Sequence, residues 1–205
     1  MEIKSDIIHT NFAKLSADHV KALLASELPE WAVYHNIEHT ILTVETCLEI
    51  GRYYQLNSED MDLLLTAAWF HDTGYIHGAE DHESMSSIIA KEFLLRNNCS
   101  KLYIDIITEC IEKTKISSVP ETIMQCIIRD ADLISLGTQD FFSTDKLLKK
   151  EIELRKNIIM DEREWLIRSE KFLSGHKYFT EYARIKLGHQ LEINLRELRR
   201  RLNSL

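Results

Sequence analysis

Trp69-Phe70-His71-Asp72-Thr73-Gly74 ends an apolar run, Leu63-Leu64-Leu65-Thr66-Ala67-Ala68, on two adjacent polar side chains. The run reads as a buried helix, and Gly74 supplies a stop. A carboxylate left unpaired at the end of such a helix would cost on the order of several kcal/mol. His71 and Asp72 therefore need a partner from elsewhere in the chain.

Working outward, apolar residues recur at three- and four-residue spacing almost throughout, and two prolines and six glycines in 205 residues leave few breaks. The spacing predicts an all-α fold of eight or nine helices in one domain over residues 1–205. Starts are expected at Ser16, Asn36, Ser58, Asp161 and Thr180 as caps and at Pro120 as a first helical residue. Stops are expected near Gly74, Asn97-Asn98, Gly137 and Gly175, with the longest irregular stretch at residues 73–81. The helices of residues 144–205 should pack on the core. Arg196, Arg199, Arg200 and Arg201 near the end of the last one read as cations opposing a helix dipole.

Composition narrows function. A formal charge of −8 and a pI near 5.6 argue against nucleic-acid polymers as partners, since such binding depends on basic side chains. A small anion needs only a local cation. Cys47, Cys99, Cys110 and Cys126 contain no CxxC pair and read as free thiols. Met1-Glu2-Ile3-Lys4-Ser5-Asp6 does not resemble an export signal, and residues 63–70 are too few to cross a bilayer. A cytoplasmic protein with no membrane partner is expected, and helical surfaces of this kind admit a homodimer.

Two further groups carry chemistry: Tyr34-His35-Asn36-Ile37-Glu38-His39 at the entrance to a helix, and Arg129-Asp130-Ala131-Asp132-Leu133 in the helix after Pro120. Ile123, Cys126, Ile127, Ile134 and Leu136 give that helix an apolar face, so its carboxylates also need compensation if they point inward. One divalent cation answers both needs. Two neutral imidazoles, His39 and His71, with two carboxylates, Asp72 and Asp132, supply four ligands and balance its charge.

A histidine, then a His-Asp pair, then a distant aspartate resembles the signature of the HD superfamily of metal-dependent phosphohydrolases. Tyr34-His35-Asn36 resembles the matching element of cyclic-nucleotide phosphodiesterases. Asp130 to Gly137, and more weakly Phe172 to Thr180, resemble segments of small bacterial HD proteins. The strong motifs span residues 34–137. The resemblance implies a helical fold, ligands His39, His71, Asp72 and Asp132, and catalytic water activated by the ion, with Asp72 able to bridge to a second one. It places Asp130 beside the ligands or on the helix surface and makes His35 the proton donor to the leaving oxygen. Manganese, iron, magnesium or zinc, as one ion or two, are all admissible, and the implied substrate is a small phosphate ester such as a nucleotide.

Other candidates stand around this set. Asn36, His82 and Glu83 are candidates for a place beside the ligands or on a second ion, and His77 is a weaker one. Lys113, which looks like a residue facing the site in relatives, and Arg129 are candidates for substrate phosphate, with Lys115 and Lys146 reading as solvated. His176, Tyr178 and His189 read as packing or capping residues that could instead line the pocket. Two rivals remain. His35-Asn36-Ile37-Glu38-His39 also fits an inverted zinc-peptidase pattern, which needs His35 inside the helix, and the chain could be a non-catalytic metal- or nucleotide-binding sensor.

Overall fold

The computed structural model describes residues 11–204, which hold nine α-helices and no strand. They are α1 (Phe12–Glu27), α2 (Ile37–Tyr53), α3 (Ser58–Phe70), α4 (His82–Arg96), α5 (Lys101–Glu112), α6 (Ile123–Asp132), α7 (Phe141–Lys156), α8 (Glu162–Gly175) and α9 (Glu181–Leu202). Two short 3-10 turns, Thr73–Ile76 and Ile134–Gly137, follow α3 and α6. The segment Met1 to Asp6, read above for targeting, lies outside the described residues. No described helix is long and apolar enough to cross a membrane.

The apolar run of α3 makes it the central helix. Leu64, Ala67, Ala68 and Phe70 are fully buried, and α1, α2, α4, α5 and α6 pack on it. Val20, Ile50, Leu94, Ile107, Ile111, Ile127 and Ile128 complete that core. Each fully buried Leu, Ile or Phe contributes about 1.5–3 kcal/mol. A second, smaller core, Leu136, Phe141, Leu166, Leu173 and Leu198, joins the second 3-10 turn to α7, α8 and α9. A cavity of about 1090 Å³ draws its walls from both parts, with Asp72 and Tyr75 on one side and Phe141 and Trp165 on the other.

Asn36, Asp161 and Thr180 cap their helices as the sequence suggests. Elsewhere the starts differ. Helix α1 begins a turn before Ser16, because Asn11 caps Lys14 N–H and the Asp62 carboxylate accepts from Phe12 and Ala13 N–H. Ser16 is buried within the helix and donates to Phe12 C=O. Asn57, one residue before Ser58, caps α3. Pro120 lies in the loop before α6, whose start is set by a reciprocal pair, Thr122 and Gln125. Ile123 at that start is exposed rather than part of the inward face. The stretch at 73–81 is shortened by its 3-10 turn, so the longer irregular segment is 113–122. The four cysteines are free, three of them buried, and the terminal arginines pair with Glu170 and Glu197.

Asp130 has a structural role. Its two carboxylate oxygens accept from Phe179 N–H at 2.9 Å and Thr180 N–H at 2.7 Å, which ties α6 to the start of α9. It is fully buried, and burial raises its carboxyl above the usual range despite these hydrogen bonds. Asp130→Ala is expected to destabilise the protein by about 2–3 kcal/mol, since it leaves two backbone donors unpaired, a loss only partly offset by removing a costly buried charge. Urea unfolding followed by circular dichroism measures this, and an unchanged midpoint would refute the tie.

Candidate metal centre

Each residue of the cluster is placed by the end of an element. The Asn36 side chain accepts from Glu38 and His39 N–H and donates to Val33 C=O, which sets His39 in the first turn of α2. His71 and Asp72 follow α3, and the 3-10 turn after them holds Asp72 inward. Asp132 is the last residue of α6. One nitrogen or oxygen from each of His39, His71, Asp72 and Asp132 lies within 4.8 Å of all the others.

The tautomers show what this convergence asks for. His71 Nδ1–H donates to Ala68 C=O at 2.8 Å, so its Nε2 presents a lone pair. That Nε2 stands 3.3 Å from His39 Nε2 and 3.1 Å from Asp72 Oδ2, and His39 Nε2 is 3.2 Å from Asp132 Oδ1. Asp72 Oδ2 is buried and finds no hydrogen bond of acceptable geometry, although both imidazoles lie within 3.3 Å of it. Lone pairs from four side chains thus meet at one buried point, an arrangement that a cation or a trapped proton must relieve. Mixed nitrogen and oxygen donors suit a divalent transition metal or magnesium, so the residues fit the ion that the sequence implied.

The electrostatics agree. Burial pulls the His39 imidazole down, but Asp132 and Asp72 outweigh it and lift it to about 9. His71 is raised well above its ordinary value against the same burial. Burial opposes ionisation of Asp72 and Asp132, yet the two imidazoles hold both well below the carboxylate range. A metal ion requires neutral imidazoles, so it must displace the proton that the empty cluster attracts. Affinity is therefore expected to rise with pH up to about 9. Binding near pH 7 should release protons. Calorimetric titration of the metal in buffers of different ionisation enthalpy measures the release, and a buffer-independent heat would contradict it.

Around the cluster the sequence candidates separate. His35 lies outside α2, which removes the peptidase geometry, and Glu38 is exposed. His35 Nδ1–H donates to Glu151 Oε1 at 2.5 Å, while Glu151 Oε2 accepts from Tyr34 and His35 N–H. The ring stacks on Tyr75 at 4.2 Å, and Tyr75 Oη lies 3.3 Å from His35 Nε2. His82 donates Nδ1–H to Ala79 C=O and turns Nε2 toward Asp72 Oδ1 at 3.5 Å. Glu83 is buried beside it in the cavity wall. Asn36 positions His39 as a helix cap and is not among the converging donors.

Arg129, His176 and Tyr178 line the cavity. Lys113 does not. Helix α5 ends before it, and its Nζ is taken by Glu121 and Val119 C=O, leaving Thr114 in the wall. Lys115 pairs with Asp81, and His77, Lys146 and His189 are exposed. Asp130, engaged with α9, is neither on the helix surface nor among the converging donors.

Sequence reasoning passed over Glu151 and Tyr75. The signal for Glu151 was present: it lies beside Ile152 and three residues after Leu148, so it shares the inward stripe of α7. Its carboxyl is held low because His35 and two backbone N–H groups outweigh the effect of burial. Tyr75 carried no signal apart from its place just after the doublet.

The HD domain family model matches residues 36–161, a stretch that includes all four converging residues and Glu151. A solved structure of a predicted HD superfamily hydrolase from an uncultured Thermotogales bacterium is similar in fold. It is 16% identical, the alignment covers 91% of each chain, and the TM-score is 0.61. A search of curated proteins finds no match. Since the family model spans more than half of the chain and takes in every converging donor, the chain belongs to the HD domain family.

Proposed function

We propose that this chain hydrolyses a phosphate ester of a nucleotide or a similarly small molecule. The observation that carries this reading is the meeting of donor atoms from His39, His71, Asp72 and Asp132 beside a cavity whose wall includes Asp72, Asp132 and His35. A metal ion held by His39, His71, Asp72 and Asp132 supplies Lewis acidity toward a phosphoryl oxygen and lowers the pKa of water.

The protein's own groups do the rest. Glu151 fixes the Nδ1–H tautomer of His35 and stabilises its imidazolium, so that Nε2 can hand a proton to a leaving oxygen. Stacking on Tyr75 fixes the plane of the ring. His82 turns Nε2 toward the far oxygen of Asp72, so these two side chains would be the ones to hold a second ion. Trp165 and Phe172 line the part of the cavity built by α8, and apolar faces of this kind suit a base or other flat organic group. Global negative charge favours such a small ester over a polymer.

Metal analysis of purified protein, followed by a screen of nucleotides and of generic phosphomonoesters and diesters, tests the reading. One or two ions per chain and metal-dependent turnover of at least one ester are expected. Nucleotide binding with every ester left intact would make the chain a sensor instead. Glu38→Gln should leave hydrolysis within about twofold of the wild type, because an exposed residue away from a site rarely matters.

A further inference from the structure

Arg129 stands one helical turn before Asp132 and is only 4% exposed. Among the described residues no carboxylate is within ion-pair distance of it, although the charges of Asp132, Glu83 and Asp130 act on it from further away. Its Nη1 donates to the carbonyls of Lys113 and Thr114, both neutral, and its Nε–H has no partner at all. A buried guanidinium without a close ion pair is costly, and guanidinium cannot shed its proton to escape that cost. The contacts to the carbonyls just past the end of α5 account for one nitrogen as a latch between α6 and that helix end. They leave the Nε–H without an acceptor among the described residues.

A second unsatisfied group lies in the same cavity. His176, which follows α8, buries an Nε2 that also lacks a partner. Burial, helped by the Arg129 charge, lowers this imidazole to about 4, so near neutral pH it is uncharged and can donate one N–H. Both side chains line the wall shared with Asp72 and His35, yet neither is among the converging metal donors. An oxyanion would give the guanidinium a close ion pair and accept from both nitrogens, and phosphate matches a guanidinium edge in geometry.

We infer that Arg129 and His176 form an oxyanion subsite of the cavity, separate from the metal ligands, that takes the oxygens of a phosphate group. This deepens the proposed function by giving the ester a second anchor, but the subsite does not require a metal ion. The same chemistry serves a substrate's phosphate and free inorganic phosphate.

The test is calorimetric titration of the chelator-treated full chain with inorganic phosphate, and separately with adenosine 5′-monophosphate, at constant ionic strength near pH 8, where phosphate is a dianion. Saturable binding of at least one probe is expected, weakened at least about tenfold by Arg129→Gln and at least about threefold by His176→Asn. Tighter binding of the nucleotide than of inorganic phosphate would identify the ester as the ligand, and the reverse would identify free phosphate. Because Arg129→Gln also loosens a helix contact, Arg129→Lys is measured alongside. It keeps the charge but lacks the Nε–H, and is expected to bind at least about threefold more weakly than wild type while melting as a folded protein. Absence of saturable binding in the wild type, or affinities unchanged in folded variants, would overturn the subsite. Failure of the metal-dependent hydrolysis reading would appear instead in the metal content and the ester screen, which this titration does not use.

Discussion

Asp72→Ala is expected to empty the metal centre and to lower hydrolysis by at least about a thousandfold, equivalent to about 4 kcal/mol of lost transition-state stabilisation. Asp72 meets both imidazoles through Oδ2 and faces His82 through Oδ1, so its carboxylate links the cluster to His82. Its removal takes away negative charge where a divalent ion needs it and leaves two histidines and one carboxylate. Metal analysis by mass spectrometry and steady-state kinetics on the best ester check this together. Retention of both full metal content and rate would end the assignment of the centre.

His35→Gln should separate proton delivery from metal binding. Turnover of an ester with a basic leaving oxygen is expected to fall by about 10²- to 10⁴-fold, with metal content unchanged. An ester of p-nitrophenol, whose leaving group departs without help, should lose much less. Glu151→Gln keeps an acceptor for the Nδ1–H but removes the charge that stabilises the imidazolium, so a loss of about tenfold, again dependent on the leaving group, is expected. Equal losses for both kinds of ester would assign His35 and Glu151 to positioning and not to proton transfer.

The residues of the centre were legible because each is marked by its immediate surroundings. The apolar run ahead of His71-Asp72 made their polarity conspicuous, and Asn36 announced the turn that carries His39. The choice of Asp132 over Asp130 rested on resemblance, and the structure gives its physical reason. Two residues apart on a helix, the side chains face different ways, one toward the imidazoles and the other toward α9. Lys113 misled because its neighbours resembled a segment facing the site, whereas its ammonium is taken by the following loop.

By itself, then, the sequence determined the helical class and the caps Asn36, Asp161 and Thr180, and it marked the candidate donors, since periodicity and capping act over a single turn or two. Tertiary structure alone decided that Glu151 holds His35 across 116 residues and that Asp62 starts α1 from α3. It also decided that Arg129 is buried with an Nε–H that finds no acceptor among the described residues. Such pairings depend on which helix faces pack together, and that is settled by the summed burial of whole surfaces and not by any local run of residues.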